Sequence, residues 1–142
     1  MKKRLWERFF CCVCCAIVSS WMTACVGGAE RKYYEGAQLY QQHCSNCHME
    51  DGQGLEALYP PLAQSDWLET VGVSAACVVR NGLKGAIVVN GVEYGMAMPA
   101  QEKLSAVEIT NILNYIHNAW GNERAFISLS EVEKTLEACA AQ

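Results

Sequence analysis

Small and apolar residues recur at every fourth position through YYEGAQLYQQHCSNCH, so Gly36, Tyr40 and Cys44 share one face of the helix this spacing predicts. A glycine inside a helix costs stability relative to alanine, so Gly36 predicts the close approach of another backbone. The clearest helical pattern is LSAVEITNILNYIHNAWGN. There Ile109, Ile112, Leu113, Ile116 and Trp120 repeat at helical spacing, Ser105 and Glu108 form an S-x-x-E capping box, and Gly121 supplies a stop. Two shorter helices are predicted: SDWLETVG, capped by Ser65, and VSAACVVRNG, begun by Ser74 and stopped near Gly82. The tail SLSEVEKTLEACAAQ predicts an amphipathic helix capped by Ser128 or Ser130. Only AIVVNGVEYG alternates, around Asn90-Gly91, the pair that favours a two-residue hairpin turn. Between Met49 and Gln64, Gly52, Gly54, Pro60 and Pro61 exclude long regular structure. The chain thus predicts an all-α fold with one short β-hairpin, and it contains no internal repeat.

The length of 142 residues allows one small domain with tails. Charge divides it further. Residues 1–24 hold four Lys/Arg against one Glu, a balance of +3, while the rest holds seven against fourteen, −7, giving the net −4. An acidic working domain argues against nucleic-acid binding, which needs a basic face. The cationic start and the apolar run from Phe9 to about Ala24 read as an export signal, 1–24. Its ending MTAC resembles a bacterial lipobox, which makes Cys25 the lipidated residue and mature N-terminus. The alternative is an uncleaved anchor, because the 18 residues from Phe9 to Val26 can just cross a bilayer. Either way a linker, 25–32, tethers the domain to a membrane on the exported, periplasmic side.

HCSNCHMEDGQG holds the chemistry. Cys44 and Cys47 stand three apart and His48 follows at once. C-x-x-C-H is the signature of covalent haem attachment: two thiols add to neighbouring vinyl groups and the next residue reaches the iron. Structural zinc requires four ligands, commonly a second C-x-x-C pair, and residues 25–142 contain none. A thioredoxin-like redox pair expects a βαβ context that this helical pattern lacks. Haem iron has a sixth position, and YGMAMPA offers Met96 and Met98. Thioether ligation favours ferrous iron, and Pro99 stiffens the loop at Met98, which makes Met98 the preferred ligand.

On these motifs the chain resembles the class I, single-haem cytochromes c of bacteria over about Tyr33 to Asn122. GAQLYQQHCSNCH, GQG, YPPLA, VNGVEYGMAMPA and the last strong helix occur in that family's order. The resemblance implies the cytochrome c fold, with helices around one covalent haem c and its iron. It implies thioether links at Cys44 and Cys47, proximal His48, distal Met98, and a Pro60 carbonyl that accepts the imidazole N–H. It also implies that Gly36 and Tyr40 meet Ile112 and Tyr115 where the first helix crosses the last.

Residues 123–142 lie outside the usual family core and are expected to form a helical extension. Cys77 and Cys139 are left over, and a disulfide pinning the extension to the middle helix is the best use for them. His43 is expected on a helix surface, and His117 at the surface or on the propionate side. Trp67 and Trp120 are expected in the core or at the haem rim, and Glu50-Asp51 in solvated loop. The implied function is single-electron transfer between redox protein partners, without enzymatic catalysis. Two alternatives are a haem subunit of a larger oxidase or dehydrogenase, and a small-ligand haem enzyme or sensor with a labile Met98.

Overall fold

A computed structural model describes residues 32–140. The export segment, Cys25, Ala141 and Gln142 lie outside those residues. The elements run α1 (Tyr34–His43), α2 (Ser45–His48), α3 (Asp66–Val71), a 3₁₀ turn (Gly72–Ser74), α4 (Ala75–Asn81), β1 (Ile87–Val89), β2 (Val92–Tyr94), α5 (Ala106–Ile116) and α6 (Leu129–Ala140). Among the described residues no helix is long and apolar enough to cross a membrane.

The core forms where α1 crosses α5. Gly36 is buried there, and a methyl group on it would run into the Asn111 carbonyl and come within 2.8 Å of Tyr115 Cβ. The missing side chain is what lets the two helices touch through backbone. Tyr40, one turn on, is fully buried and packs its ring 5.5 Å from Tyr115 and 4.9 Å from Trp120. Tilted and edge-on pairs of this kind add ~0.5–1.5 kcal/mol each beyond the area they bury. The apolar face of α5, Ile109, Ile112, Leu113 and Ile116, is wholly inside.

Local chemistry sets the helix ends. Ser105 Oγ accepts from Glu108 N–H while the Glu108 carboxylate accepts from Ser105 N–H at 2.7 Å, the reciprocal cap its sequence predicts. Ser128 and Glu131 form the same arrangement before α6, so Ser128 rather than Ser130 is the cap. Ser65 caps α3 by accepting from Leu68 N–H. Ser74, in contrast, makes no side-chain cap, because the 3₁₀ turn that leads into α4 already has helical backbone there. The hairpin pairs Ile87 with Tyr94 and Val89 with Val92 across Asn90-Gly91, both of positive φ as a primed turn requires.

The first helix runs into the cysteine motif as expected; it ends at His43, and Ser45–His48 form a separate turn after Cys44. Two expectations are corrected. The last strong helix ends at Ile116, short of Trp120, which sits in a following turn with φ of 53° and reaches the core from there. His117 is 2 % exposed and is no surface residue; it closes α5 beneath Arg124.

The extension is part of the same body. Val132 of α6 is completely buried, and the Asn114 side chain holds Ile127 by two hydrogen bonds, donating to its carbonyl at 2.8 Å and accepting from its N–H at 2.9 Å. Cys77 in α4 and Cys139 in α6 are joined by a disulfide with Cα atoms 6.1 Å apart.

Candidate cofactor site

Between α2, the loop after it, α4, the hairpin and α5 lies an apolar cleft of about 970 Å³, counted out to its mouth. A lining of this kind suits a large, mostly apolar ligand. Cys44, Cys47, His48, Pro60, Met96 and Met98 all border it. Residues 44–48 and 96–98 are therefore neighbours in space although about fifty positions separate them in sequence.

The His48 ring is aimed by its partner. Nδ1 lies 3.0 Å from the Pro60 carbonyl, which can only accept, so Nδ1 carries the proton and donates. The Nε2 lone pair is thereby left free for a metal. Burial lowers the ring's pKa, partly opposed by the Pro60 bond, and both the depressed pKa and the fixed tautomer favour a neutral, ligating imidazole. The loop that carries Pro60 is itself held closely. Gly54 has φ of 68°, and a methyl there would come within 2.7 Å of the Pro60 carbonyl oxygen, so only glycine allows that oxygen its place. Tyr40 Oη donates to the Met49 carbonyl at 2.6 Å, fixing the chain just past His48.

Both thiols are free and half-buried. Burial, with a smaller contribution from neighbouring Cys47, pushes the Cys44 thiol up to about 12. Cys44 is thus a protonated, apolar-facing thiol, unlike the depressed thiolates of redox catalysts. No group of three or more His, Cys, Asp or Glu that could hold a metal ion occurs among the described residues.

The two methionines differ. Met98 is half-buried, and its backbone exchanges two hydrogen bonds with Leu83, N–H to carbonyl at 2.9 Å and carbonyl to N–H at 3.0 Å. Met96 is 51 % exposed. A weak sulfur ligand needs a backbone that stays in place, and only Met98 has one. Leu83 was not legible as part of the site, because its pairing with residue 98 spans the whole hairpin. Trp67 and Trp120 are both half-buried and pack against the core, and of the two Trp67 lies on the cleft wall. His43 is exposed, and neither it nor His117 borders the cleft.

The residues fit a covalent haem: two unpaired thiols, an imidazole with one nitrogen already engaged, and a thioether share one apolar cleft. Comparison with known proteins agrees. Residues 33–120 match the family profile described as Cytochrome c. A cytochrome c-552 of Thermus thermophilus is 35 % identical over 103 residues, which cover 70 % of this chain and 69 % of that protein. A second Thermus thermophilus cytochrome c-552 is 36 % identical over 94 residues, 63 % of this chain and 71 % of its own. The cytochrome c subunit of the quinone alcohol dehydrogenase of Gluconobacter oxydans (strain 621H) is 34 % identical over 103 residues, but these make up only 21 % of that subunit.

Proposed function

The chain belongs to the cytochrome c family, and we propose that it is a membrane-tethered carrier, on the periplasmic side, of single electrons between redox proteins. It is an electron carrier rather than an enzyme, and its cofactor is covalently bound haem c with iron. In this reading Cys44 and Cys47 would carry the thioether links, and His48 Nε2 and Met98 Sδ would hold the iron. The group, once bound, would supply a one-electron couple, and these residues would keep hold of it in both oxidation states.

The protein's part is to hold still. Pro60 keeps the His48 ring in one tautomer and orientation, and Leu83 keeps Met98 in register. Aliphatic side chains of α4 and α5, among them Val79, Ile112 and Leu113, line the cleft. The observation that carries the reading is the convergence on one cleft of two free thiols, a Pro60-oriented imidazole and a backbone-clamped methionine. That clamp is also what favours a carrier over a sensor with a labile sixth ligand.

The test is expression of the full chain with haem-maturation machinery. The ferric spectrum should show a sulfur-ligation band that Met98→Ala abolishes and Met96→Ala leaves, with a reversible one-electron titration. A properly matured protein that is colourless, or that binds zinc stoichiometrically, overturns the reading. The tether is tested separately: acylated Cys25 should appear by mass spectrometry, and Cys25→Ala should release the protein from the membrane fraction.

A second reading is a haem subunit of a dehydrogenase complex. What supports it is the similarity to the Gluconobacter oxydans subunit. Copurification of a large complex in gentle detergent would favour the subunit; a monodisperse small protein would favour the carrier.

A further inference from the structure

We propose that Asn122, two residues past the end of the family match, is a positioning residue for the proximal imidazole, acting through the loop that carries Pro60. This inference rests on the reading of His48 as the proximal ligand.

Asn122 is 4 % exposed and spends its whole side chain on backbone. Its Nδ2 donates to the Leu62 carbonyl at 2.9 Å and to the Ile116 carbonyl at 2.6 Å, while Oδ1 accepts from Gln64 N–H at 2.8 Å. One side chain thereby joins the end of α5 to the segment 62–64, far away in sequence. Arg124 adds a second tie, donating from Nη2 to the Ser65 carbonyl at 2.7 Å. The Gly52 carbonyl also accepts from Leu62 N–H at 2.7 Å and Ala63 N–H at 2.9 Å. Segment 62–65 is thus gripped by a loop and by the turn that follows α5.

The grip reaches His48 because of what lies between. Pro60 and Pro61 each have φ fixed by their rings, so the chain from Leu62 back to Pro60 has few torsions left to absorb a displacement. Where Leu62 is held, the Pro60 carbonyl is held, and that oxygen sets the His48 ring at 3.0 Å. Relaxing the Leu62 anchor lets the acceptor wander while the imidazole stays where its neighbours leave it. The hydrogen bond that orients the ring then weakens.

The structure supplies its own control. Asn114 is equally buried, lies in α5 and also makes three backbone hydrogen bonds, but toward Thr110 and Ile127 on the extension side. Asn122→Ala and Asn114→Ala therefore remove similar amounts of bonding, and only the first touches the Pro60 loop. In the full haem-loaded chain both variants should lower the thermal midpoint. Only Asn122→Ala should speed exchange of the His48 Nδ1 proton with solvent in the ferrous protein, by about tenfold, as expected for loss of roughly one hydrogen bond's worth of protection. Only Asn122→Ala should also move the reduction potential. Equal exchange rates and potentials in the two variants overturn the proposal and leave Asn122 a folding residue. If Asn122→Ala does not accumulate as a haem protein, Asn122→Ser with Asn114→Ser is read in the same way, the hydroxyl retaining one donor. A wild-type protein without an iron-shifted His48 ring signal would instead refute the ligand assignment itself, so the two failures are distinct.

Discussion

Replacing Gly36 with alanine tests the helix crossing by the sign of its effect. In a solvent-facing helix this change stabilises, by ~1 kcal/mol, because alanine loses less backbone freedom on folding. Here the added methyl would overlap the Asn111 carbonyl and press on Tyr115 Cβ at 2.8 Å. The carbonyl is bound into α5 and cannot swing aside as a flexible side chain would. The helices must part, at an overpacking cost of ~1–3 kcal/mol. Parting also loosens the ring cluster of Tyr40, Tyr115 and Trp120, whose centroids lie 4.9 to 5.5 Å apart, at ~0.5–1.5 kcal/mol for each contact degraded. A gross cost of ~3 kcal/mol against a gain of ~1 leaves a net loss of ~2 kcal/mol. For a domain of this size that lowers the melting temperature by about 10 °C. Thermal unfolding followed by far-ultraviolet circular dichroism measures it, with Gly95→Ala, where a methyl meets nothing within 4 Å, as the comparison. A Gly36→Ala protein that melts at or above the wild-type temperature would refute the steric account.

Two further outcomes follow from other parts of the fold. Cys77→Ala with Cys139→Ala opens a cross-link spanning 62 positions, and the chain-entropy relation then gives a loss of ~4 kcal/mol, which urea unfolding should report as at least ~2; a change below ~0.5 would mean the packing of α6 alone holds the tail. Burial, and to a lesser degree Arg124, push the His117 ring down to about 4 from an ordinary 6.5, so the unfolded chain binds a proton in that window that the folded chain does not. The resulting stability is complete above pH 6.5 and fades as pH falls through 4, by ~2 kcal/mol once the Arg124 share is discounted for solvent screening. His117→Gln should flatten that part of the unfolding-midpoint profile between pH 4 and 7, and an unchanged slope would show that other groups set it.

What the sequence disclosed was local. C-x-x-C-H, the Asn90-Gly91 turn, the Ser105 and Glu108 cap and the misplaced glycine at 36 each carry their reason within a few residues. Asn122 carries none, because its partners Leu62 and Gln64 lie 60 and 58 positions away and an asparagine after a helix reads as ordinary surface. The end of α5 was hidden for a related reason. Ala119 and Trp120 keep the apolar spacing going although the backbone has already left the helix, because a left-handed turn returns Trp120 to the core. His117 was misjudged because polar side chains inside a helical pattern default to the outside, and here the chain folding back through Arg124 covers it. Ser74 showed the reverse failure, a plausible cap whose hydroxyl the structure does not use.

The paired hydrogen bonds between Leu83 and Met98 make a neck, from which the hairpin leaves and to which it returns. Changes beyond a neck propagate poorly past it, and the entropy of a longer excursion grows only slowly with its length. Val88, Val92 and Glu93 face outward from that excursion and take no part in the cleft wall. They are positions where composition can drift, or be engineered, to alter what the molecule's exterior meets while the sulfur beneath keeps its register.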